Sequence, residues 1–284
     1  MTFMRVDSPV EARAKGQLVD GTGRPPSGFR KRLLVISLQV LFFGGFVGLW
    51  EWGSRAGVLE RVFYSAPGLI ADQLITWSTQ GTIVQDVLTT LQETILGFII
   101  GTVLGLVSGF IIARSQLMGQ VFEPALVILN AMPKIVLAPL FFLWFGIALA
   151  SKVAFSASLV LFIVFFSTLA GIREVDENYI SNSLVLGAKE RDLTIHVLIP
   201  AALTWIFTSL RTSLGMALAG AVVAEYLGST GGIGYRIAFA QATYDSTGVF
   251  AGLVVLTVIV IILDYLIQKV EQRFSVWKPP RGQT

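Results

Sequence analysis

GIREVDENYISNSLVLGAKERDLTIHVLIP, residues 171–200, is the longest charged stretch between two strongly apolar ones. Its charged side chains cannot lie in hydrocarbon, so the segment faces water. Val175, Tyr179, Ile180 and Leu184 recur at roughly helical spacing, which distinguishes the segment from a loose polar linker. Its eight charged residues are Arg173, Glu174, Asp176, Glu177, Lys189, Glu190, Arg191 and Asp192.

The order of residues in this segment predicts two short helices. Three acidic residues come early, and Lys189 and Arg191 come late, which matches the charge preferences of helix N-termini and C-termini. Gly187 offers a break, and Pro200 stops what precedes it and can open the next helix. We therefore predict two short amphipathic helices joined at Gly187 and Ala188. A structured water-facing loop between membrane spans usually has a partner to touch.

The composition points to a membrane protein. The 284 residues are 54% hydrophobic and 14% charged, with a mean hydropathy of +0.73, whereas soluble domains carry about 25% charged residues. The chain has no cysteine, which excludes disulfides, a thiol nucleophile and a cysteine-ligated metal. With a single histidine, His196, no catalytic set built on histidine is plausible.

Six stretches are long and apolar enough to cross a bilayer, so we predict an all-α membrane protein with about six transmembrane helices. Pro133 and Pro139 interrupt the third stretch, which should be kinked or broken. A short amphipathic helix started by Pro67 is predicted for residues 66–77. The six predicted spans are residues 33–50, 94–113, 124–145, 153–172, 203–223 and 246–263.

The distribution of lysine and arginine gives the orientation, because these residues accumulate on the cytoplasmic side. Six spans put both termini and residues 171–200 on one side, which holds fifteen of the 21 basic residues, against four on the other. We therefore expect that side to be cytoplasmic. Residues 1–32 form a predicted disordered cytoplasmic segment, residues 33–270 the membrane domain, and residues 271–284 a cytoplasmic tail.

A glycine at every fourth position marks the second span, at Gly97, Gly101, Gly105 and Gly109. Small residues at this spacing let two membrane helices approach closely. Close packing within one subunit is the favoured interpretation, and a contact between subunits is the alternative.

Ionisable residues inside the spans are costly in lipid and usually face a protein interior or a pathway. Lys134 is the deepest, and Arg211 and Glu225 are fourteen residues apart, close to one helix face. These three are the candidate residues of a translocation pathway. Structural pairing or snorkelling toward the membrane interface is the alternative for each of them.

Residues 171–200 resemble the cytoplasmic EAA loop of bacterial ATP-binding-cassette (ABC) importer permeases. In that pattern E-A-A is followed after three residues by Gly, and after nine more by Ile-x-Leu-Pro. Gly187 and Pro200 keep the spacing, Val197 and Ile199 replace the two aliphatic positions, and Ser181, Asn182 and Ser183 replace the triplet. Residues 133–146 and 209–237 also look like segments of nitrate/sulfonate/taurine-type permeases.

The resemblance implies a type I ABC importer permease fold with a cytoplasmic coupling helix, in the bacterial inner membrane. It implies a second permease subunit, most simply an identical copy, separate ABC ATPase subunits that bind ATP and Mg²⁺, and an extracytoplasmic solute-binding protein. This chain is then a transport subunit and no enzyme, which binds no cofactor, metal or nucleic acid itself. The implied ATPase-coupling residues are Ser181, Asn182, Ser183, Gly187, Ala188 and Pro200.

Other functions are weighed against this one. No G-x-x-x-x-G-K-[ST] motif for ATP binding occurs in the chain, and GSTGGIG at residues 228–234 follows a helix and is interpreted as a turn. An ion-coupled secondary transporter is the alternative, but no internal repeat is evident, and Glu93, Glu123, Glu225 and Asp264 lie at span ends. A membrane enzyme fails for want of catalytic residues. The solute is small, and we expect it to be anionic.

Overall fold

The computed structural model describes residues 28–274, which fold into helices and turns and contain no strand. Of the described residues, those up to Leu59 form one compact unit, and those from Glu60 form another. The α-helices are α1 Gly28–Arg55, α2 Arg61–Tyr64, α3 Pro67–Thr79, α4 Thr82–Arg114, α5 Gln116–Ala131, α6 Lys134–Phe145, α7 Leu149–Arg173, α8 Glu177–Val185, α9 Glu190–Leu193, α10 Ile199–Gly228, α11 Ile233–Ala242 and α12 Ser246–Phe274.

The centre of the second unit is the contact between α4 and α7, against which α10 also packs. Gly97 of α4 lies against Ser156, and Gly109 lies against Thr168, so the two helices run parallel. Helix α10 runs the other way, because Gly220 lies against Ser156 while Ala202 lies against Gly171. The side chains between these helices form clusters around Val160, Val164, Phe165 and Leu214.

The parallel course of α4 and α7 decides how many times the chain crosses the membrane. Helices α5 and α6 meet at an angle of 100° across a break of two residues, Met132 and Pro133. Since α4 and α7 run in the same direction, the chain must return between them, and α5 and α6 are the segment that returns it. Together with the five long apolar helices, this bent pair makes six crossings.

The predicted spans all lie within observed helices, and the predicted break in the third span is confirmed at Pro133, which caps α6. Pro139, by contrast, lies inside α6. The predicted helix at residues 66–77 is confirmed by α3, which has Pro67 at its first position.

The long helices extend beyond the predicted spans, and three of their ends bear on the predictions. Helix α4 begins at Thr82, twelve residues before the predicted span, because Glu93 is buried and paired rather than marking the span's end. Helix α1 already begins at Gly28, inside the segment expected to be disordered, and α12 continues to Phe274, past the expected boundary at residue 270. The other residues of the two predicted terminal segments, 1–27 and 275–284, lie outside the described residues.

Long apolar side chains cover much of the outside of these helices. Phe42 is 71% exposed in α1, Val103 is 52% exposed in α4, and Ile261 is 62% exposed in α12. An apolar surface of this extent requires a membrane or another protein to cover it. With six crossings, the chain is a multi-pass membrane protein.

Candidate functional site

The water-facing loop predicted for residues 171–200 is built around a short helix and a glycine turn. Asp176 begins α8: its side chain accepts a hydrogen bond from the Asn178 N–H at 2.8 Å. After α8, Gly187 has φ +87°, a left-handed conformation that favours glycine. The Ala188 N–H donates back to the Ser183 carbonyl at 3.0 Å and closes the turn. The first of the two predicted short helices is confirmed by α8, and the break at Gly187 and Ala188 is confirmed as well. The second is not a separate short helix, because the four-residue α9 continues into the next long helix.

The prediction that Pro200 stops the preceding segment is wrong. Helical backbone runs from α9 through a π-helical turn, Thr194–Leu198, into α10. The Ile199 N–H bonds to the Thr194 carbonyl, five residues back. Pro200 is the second residue of α10, and because helical backbone already precedes it, its missing N–H interrupts the helical hydrogen bonds next to the π-helical turn. It opens the next helix, as predicted, without ending the one before.

Two exposed apolar side chains stand beside the Gly187 turn. Val185 and Leu186 are each 87% exposed, and Tyr179 of the same loop is 69% exposed. Ser181 and Asn182, which occupy positions of the expected triplet, are also exposed, and Ser183 is half-buried. The loop thus presents a small apolar surface on a segment whose charges keep it in water. Such a surface suits docking to another protein.

Polar contacts fasten the loop to the helices on which it sits. The Arg114 side chain at the end of α4 donates to the Thr194 hydroxyl in the π-helical turn. The Trp205 indole N–H donates to Glu174, which follows the last residue of α7. A displacement of the loop would therefore act directly on α4, α7 and α10.

All four glycines of the row are buried in a contact between two helices of this chain. Gly97, Gly101, Gly105 and Gly109 are all buried against α7. A Cβ at Gly105 would lie 2.7 Å from the Leu161 carbonyl oxygen, and one at Gly109 would lie 2.9 Å from the Phe165 carbonyl oxygen. These glycines let two parallel helices touch backbone to backbone.

A buried polar network lies at the opposite end of the bundle from the loop. Lys152 Nζ lies 3.0 Å from Glu93 Oε1 and donates to the Ser229 hydroxyl at 2.6 Å. Glu225 is fully buried: its Oε1 accepts from the Thr90 hydroxyl, and its Oε2 accepts from the Gly234 N–H, each at 2.7 Å. The network joins α4, α7, α10 and the start of α11.

Backbone N–H groups of the turn at residues 228–234 donate hydrogen bonds to side chains of α4 that belong to or adjoin this network. The Gly232 N–H donates to Asp86 at 2.9 Å, and the Ile233 N–H donates to the Thr90 hydroxyl at 3.0 Å. The same Asp86 pairs with Arg236, whose guanidinium lies 4.8 Å above the Trp77 ring. Since carboxylate and hydroxyl oxygens already satisfy these N–H groups, they do not form a cradle for phosphate.

Lys134 lies at the break between α5 and α6. Its Nζ donates to the carbonyl oxygen and to the side-chain oxygen of Asn130, both at 2.9 Å. It also lies 5.0 Å from the centre of the Phe162 ring. The ammonium group therefore caps the end of α5, where free carbonyls favour a cation. Its role in the pathway stays a prediction.

The other two predicted pathway residues do not meet Lys134 or each other. Arg211 makes a two-pronged ion pair with Asp264 of α12, at 2.7 and 2.9 Å, and both side chains are partly exposed. Glu225 belongs to the network at the far end of the same helix. Arg211 is thus structurally paired, and Glu225 is held by hydrogen bonds; their place in a pathway stays a prediction.

Sequence reasoning missed the partners of these charges, namely Asp86, Thr90, Lys152 and Arg236. Glu93 and Lys152 stand just beyond apolar runs and therefore looked like ordinary span ends. One feature of the sequence indicates that they pair: Glu93 and Lys152 have opposite charges, and each directly precedes a predicted span, the second and the fourth. Among residues 28–274, no group of three histidine or acidic side chains could hold a metal ion.

A six-crossing membrane protein with a structured, apolar-tipped loop between its fourth and fifth crossings has the architecture of a transport subunit. The family described as binding-protein-dependent transport system inner membrane component matches residues 88–276. The chain therefore belongs to this family of ABC importer permeases and is a transport component.

Individual relatives agree with this assignment. A Bacillus subtilis permease named for aliphatic sulfonates transport is 30% identical over 256 residues, 90% of each chain. The riboflavin transport system permease of Chloroflexus aurantiacus is 31% identical over 229 residues, 81% of this chain and 85% of its own. A chain of the inward-facing methionine ABC transporter MetNI has the same fold, with a TM-score of 0.58 over 69% of this chain and 96% of its own, at 22% identity.

Proposed function

We propose that the chain works in a bacterial inner membrane as one of two identical permease subunits of an ATP-driven importer. Each copy docks its loop into a separate ATPase, which binds ATP and Mg²⁺, while this chain binds no cofactor. An extracytoplasmic binding protein delivers the solute. Closure of the ATPases on ATP moves the loop, and the pathway between the two copies changes its access from one side of the membrane to the other.

The observation that carries this proposal is the surface beside Gly187. Val185 and Leu186 are the most exposed apolar side chains of the loop, and they stand at a tight turn rather than on a lipid-facing helix. The hydrogen bonds from Arg114 and Trp205 to the loop offer a route by which its movement reaches α4 and α10. Ser181, Asn182, Ser183, Ala188 and Pro200 complete the proposed coupling loop.

Charge asymmetry supports the orientation that coupling needs. Lysine and arginine are concentrated on the side of the loop and of both predicted termini, which we propose to be cytoplasmic. The network around Glu225 then faces the extracytoplasmic side, where the binding protein docks.

We propose a small anionic solute. The Bacillus subtilis relative is named for aliphatic sulfonates, which are anions. Lys134, at a break in the third crossing, is the basic residue that we propose for the pathway, because Asn130 leaves its charge without a counter-ion among the described residues. Arg211, by contrast, is paired with Asp264. Solute selection itself belongs to the binding protein.

Reconstitution tests the proposal. Proteoliposomes that contain the chain and its ATPase should take up solute only with the binding protein outside and ATP inside. An ATPase variant without its phosphate-loop lysine should assemble and fail to drive uptake. Uptake that persists without ATP and follows an imposed ion gradient would overturn the proposal in favour of a secondary transporter.

A further inference from the structure

Three ionisable side chains are buried together where α4, α7 and α10 meet. Glu93 is 1% exposed, Lys152 is 7% exposed and Glu225 is fully buried. Lys152 is paired with Glu93, whereas Glu225 bonds to a hydroxyl and to a backbone N–H. The cluster thus contains two carboxyl groups and one ammonium.

The other charged groups around the cluster do not supply the missing positive charge. On the side of α11, Arg236 pairs with Asp86 of α4, so these two charges offset each other. Among the residues that the structure describes, the groups that face Glu225 are the carboxyl of Glu93, the hydroxyl of Thr90 and the Gly234 N–H. An unpaired charge in such a place is expensive, and the group takes up a proton instead.

The hydrogen-bonding geometry points to the same conclusion. Glu225 bonds to Thr90, which lies three residues before Glu93 on α4, so both carboxyl groups lie on the same face of that helix. Ionised carboxylates can only accept hydrogen bonds. Glu93 Oε2 is buried and accepts no hydrogen bond from the described residues. Two carboxyl groups that share a site cannot both be ionised.

We infer that the cluster binds one proton, which Glu225 carries and donates to Glu93. The pair then holds one negative charge, which Lys152 balances, so the buried cluster is neutral. In that state Glu225 still accepts from Thr90 and Gly234 and keeps the start of α11 against α4 and α10. The proton is a resident part of the permease rather than a transported ion, and this role does not depend on which solute is carried.

Glu225→Gln is the test variant, because its amide keeps one of the two acceptor oxygens and supplies a permanent donor in place of the proton. Infrared spectra of the purified full-length chain in lipid nanodiscs should show a protonated-carboxyl band at neutral pH that Glu225→Gln removes. Glu123→Gln, which alters a partly exposed carboxylate paired with Arg173, should leave the band in place. A wild-type spectrum without that band would overturn the inference.

Stability gives a second measurement. The native chain retains a proton that an exposed carboxyl releases, so raising the pH above neutral should destabilise the wild type relative to Glu225→Gln. The limiting effect of one proton is a tenfold change in the folding equilibrium per pH unit. Identical pH profiles for the two proteins would contradict the bound proton.

Discussion

Gly101→Ala tests the close contact between α4 and α7. The added Cβ would lie 2.5 Å from the Ala157 carbonyl oxygen and 2.6 Å from Val160 Cβ. Since non-bonded carbon atoms prefer about 3.5–4.0 Å, the helices must separate locally by roughly 1 Å. A backbone carbonyl cannot rotate away as the end of a flexible side chain can.

Overpacking of this kind costs about 1–3 kcal/mol, and alanine recovers at most about 1 kcal/mol of helix propensity over glycine. After that gain is subtracted, the net loss for Gly101→Ala is about 0–2 kcal/mol. We expect a value toward the upper end, because the contacts with Ala157 and Val160 are both shorter than 3 Å. Gly48→Ala is the matched control, because Gly48 lies inside α1 and a Cβ added there would meet no atom within 4 Å. It should be neutral or slightly stabilising.

The stability of both variants is measured by heating the purified chain in detergent and recording the temperature at which half of the monodisperse species is lost. The midpoint for Gly101→Ala should fall below that of the wild type, while Gly48→Ala should not. If Gly101→Ala were as stable as Gly48→Ala, the backbone-to-backbone contact along the glycine row would not be holding the two helices together.

Three further predictions concern the loop, the pathway and the topology. Gly187→Arg should insert normally and abolish transport, because arginine is strained at φ +87° and places a charge at the docking surface; normal uptake would remove Gly187 from the docking site. Lys134→Met should reduce uptake per assembled complex, and unchanged uptake would leave Lys134 only its contacts with Asn130 and Phe162. In the cysteine-free chain, an impermeant thiol reagent on intact cells should label Thr230→Cys and not Ser183→Cys; the reverse pattern would contradict the six-crossing topology.

The elements that could be predicted from sequence are those set by local patterns. Apolar runs located all six crossings, Pro133 located the break between α5 and α6, and Gly187 located the positive-φ turn. Each depends on the chemistry of a few neighbouring residues. The regular glycine spacing likewise predicts a close helix contact on that face of α4 without identifying the partner helix.

The elements that could not be predicted depend on contacts between distant parts of the chain. Glu93 looked like the end of a span because its partner, Lys152, is 59 residues away and becomes its neighbour only when α4 and α7 pack. Pro200 is predicted to stop the preceding helix because proline usually does. In the structure a π-helical turn before Pro200 lets the helix continue, and no sequence pattern predicts that turn. Buried charge pairing and altered helix register are properties of the packed bundle.

Site-directed cross-linking tests the coupling loop most directly. A photoactivatable group on Ser183→Cys, in the full chain assembled with its ATPase, should cross-link to the ATPase, and ATP should change the yield. The same group on Thr230→Cys, at the other end of the bundle, should give no ATPase adduct. An assembled complex in which Ser183→Cys never reaches the ATPase, while Thr230→Cys does, would contradict the assignment of residues 171–200 as the coupling loop.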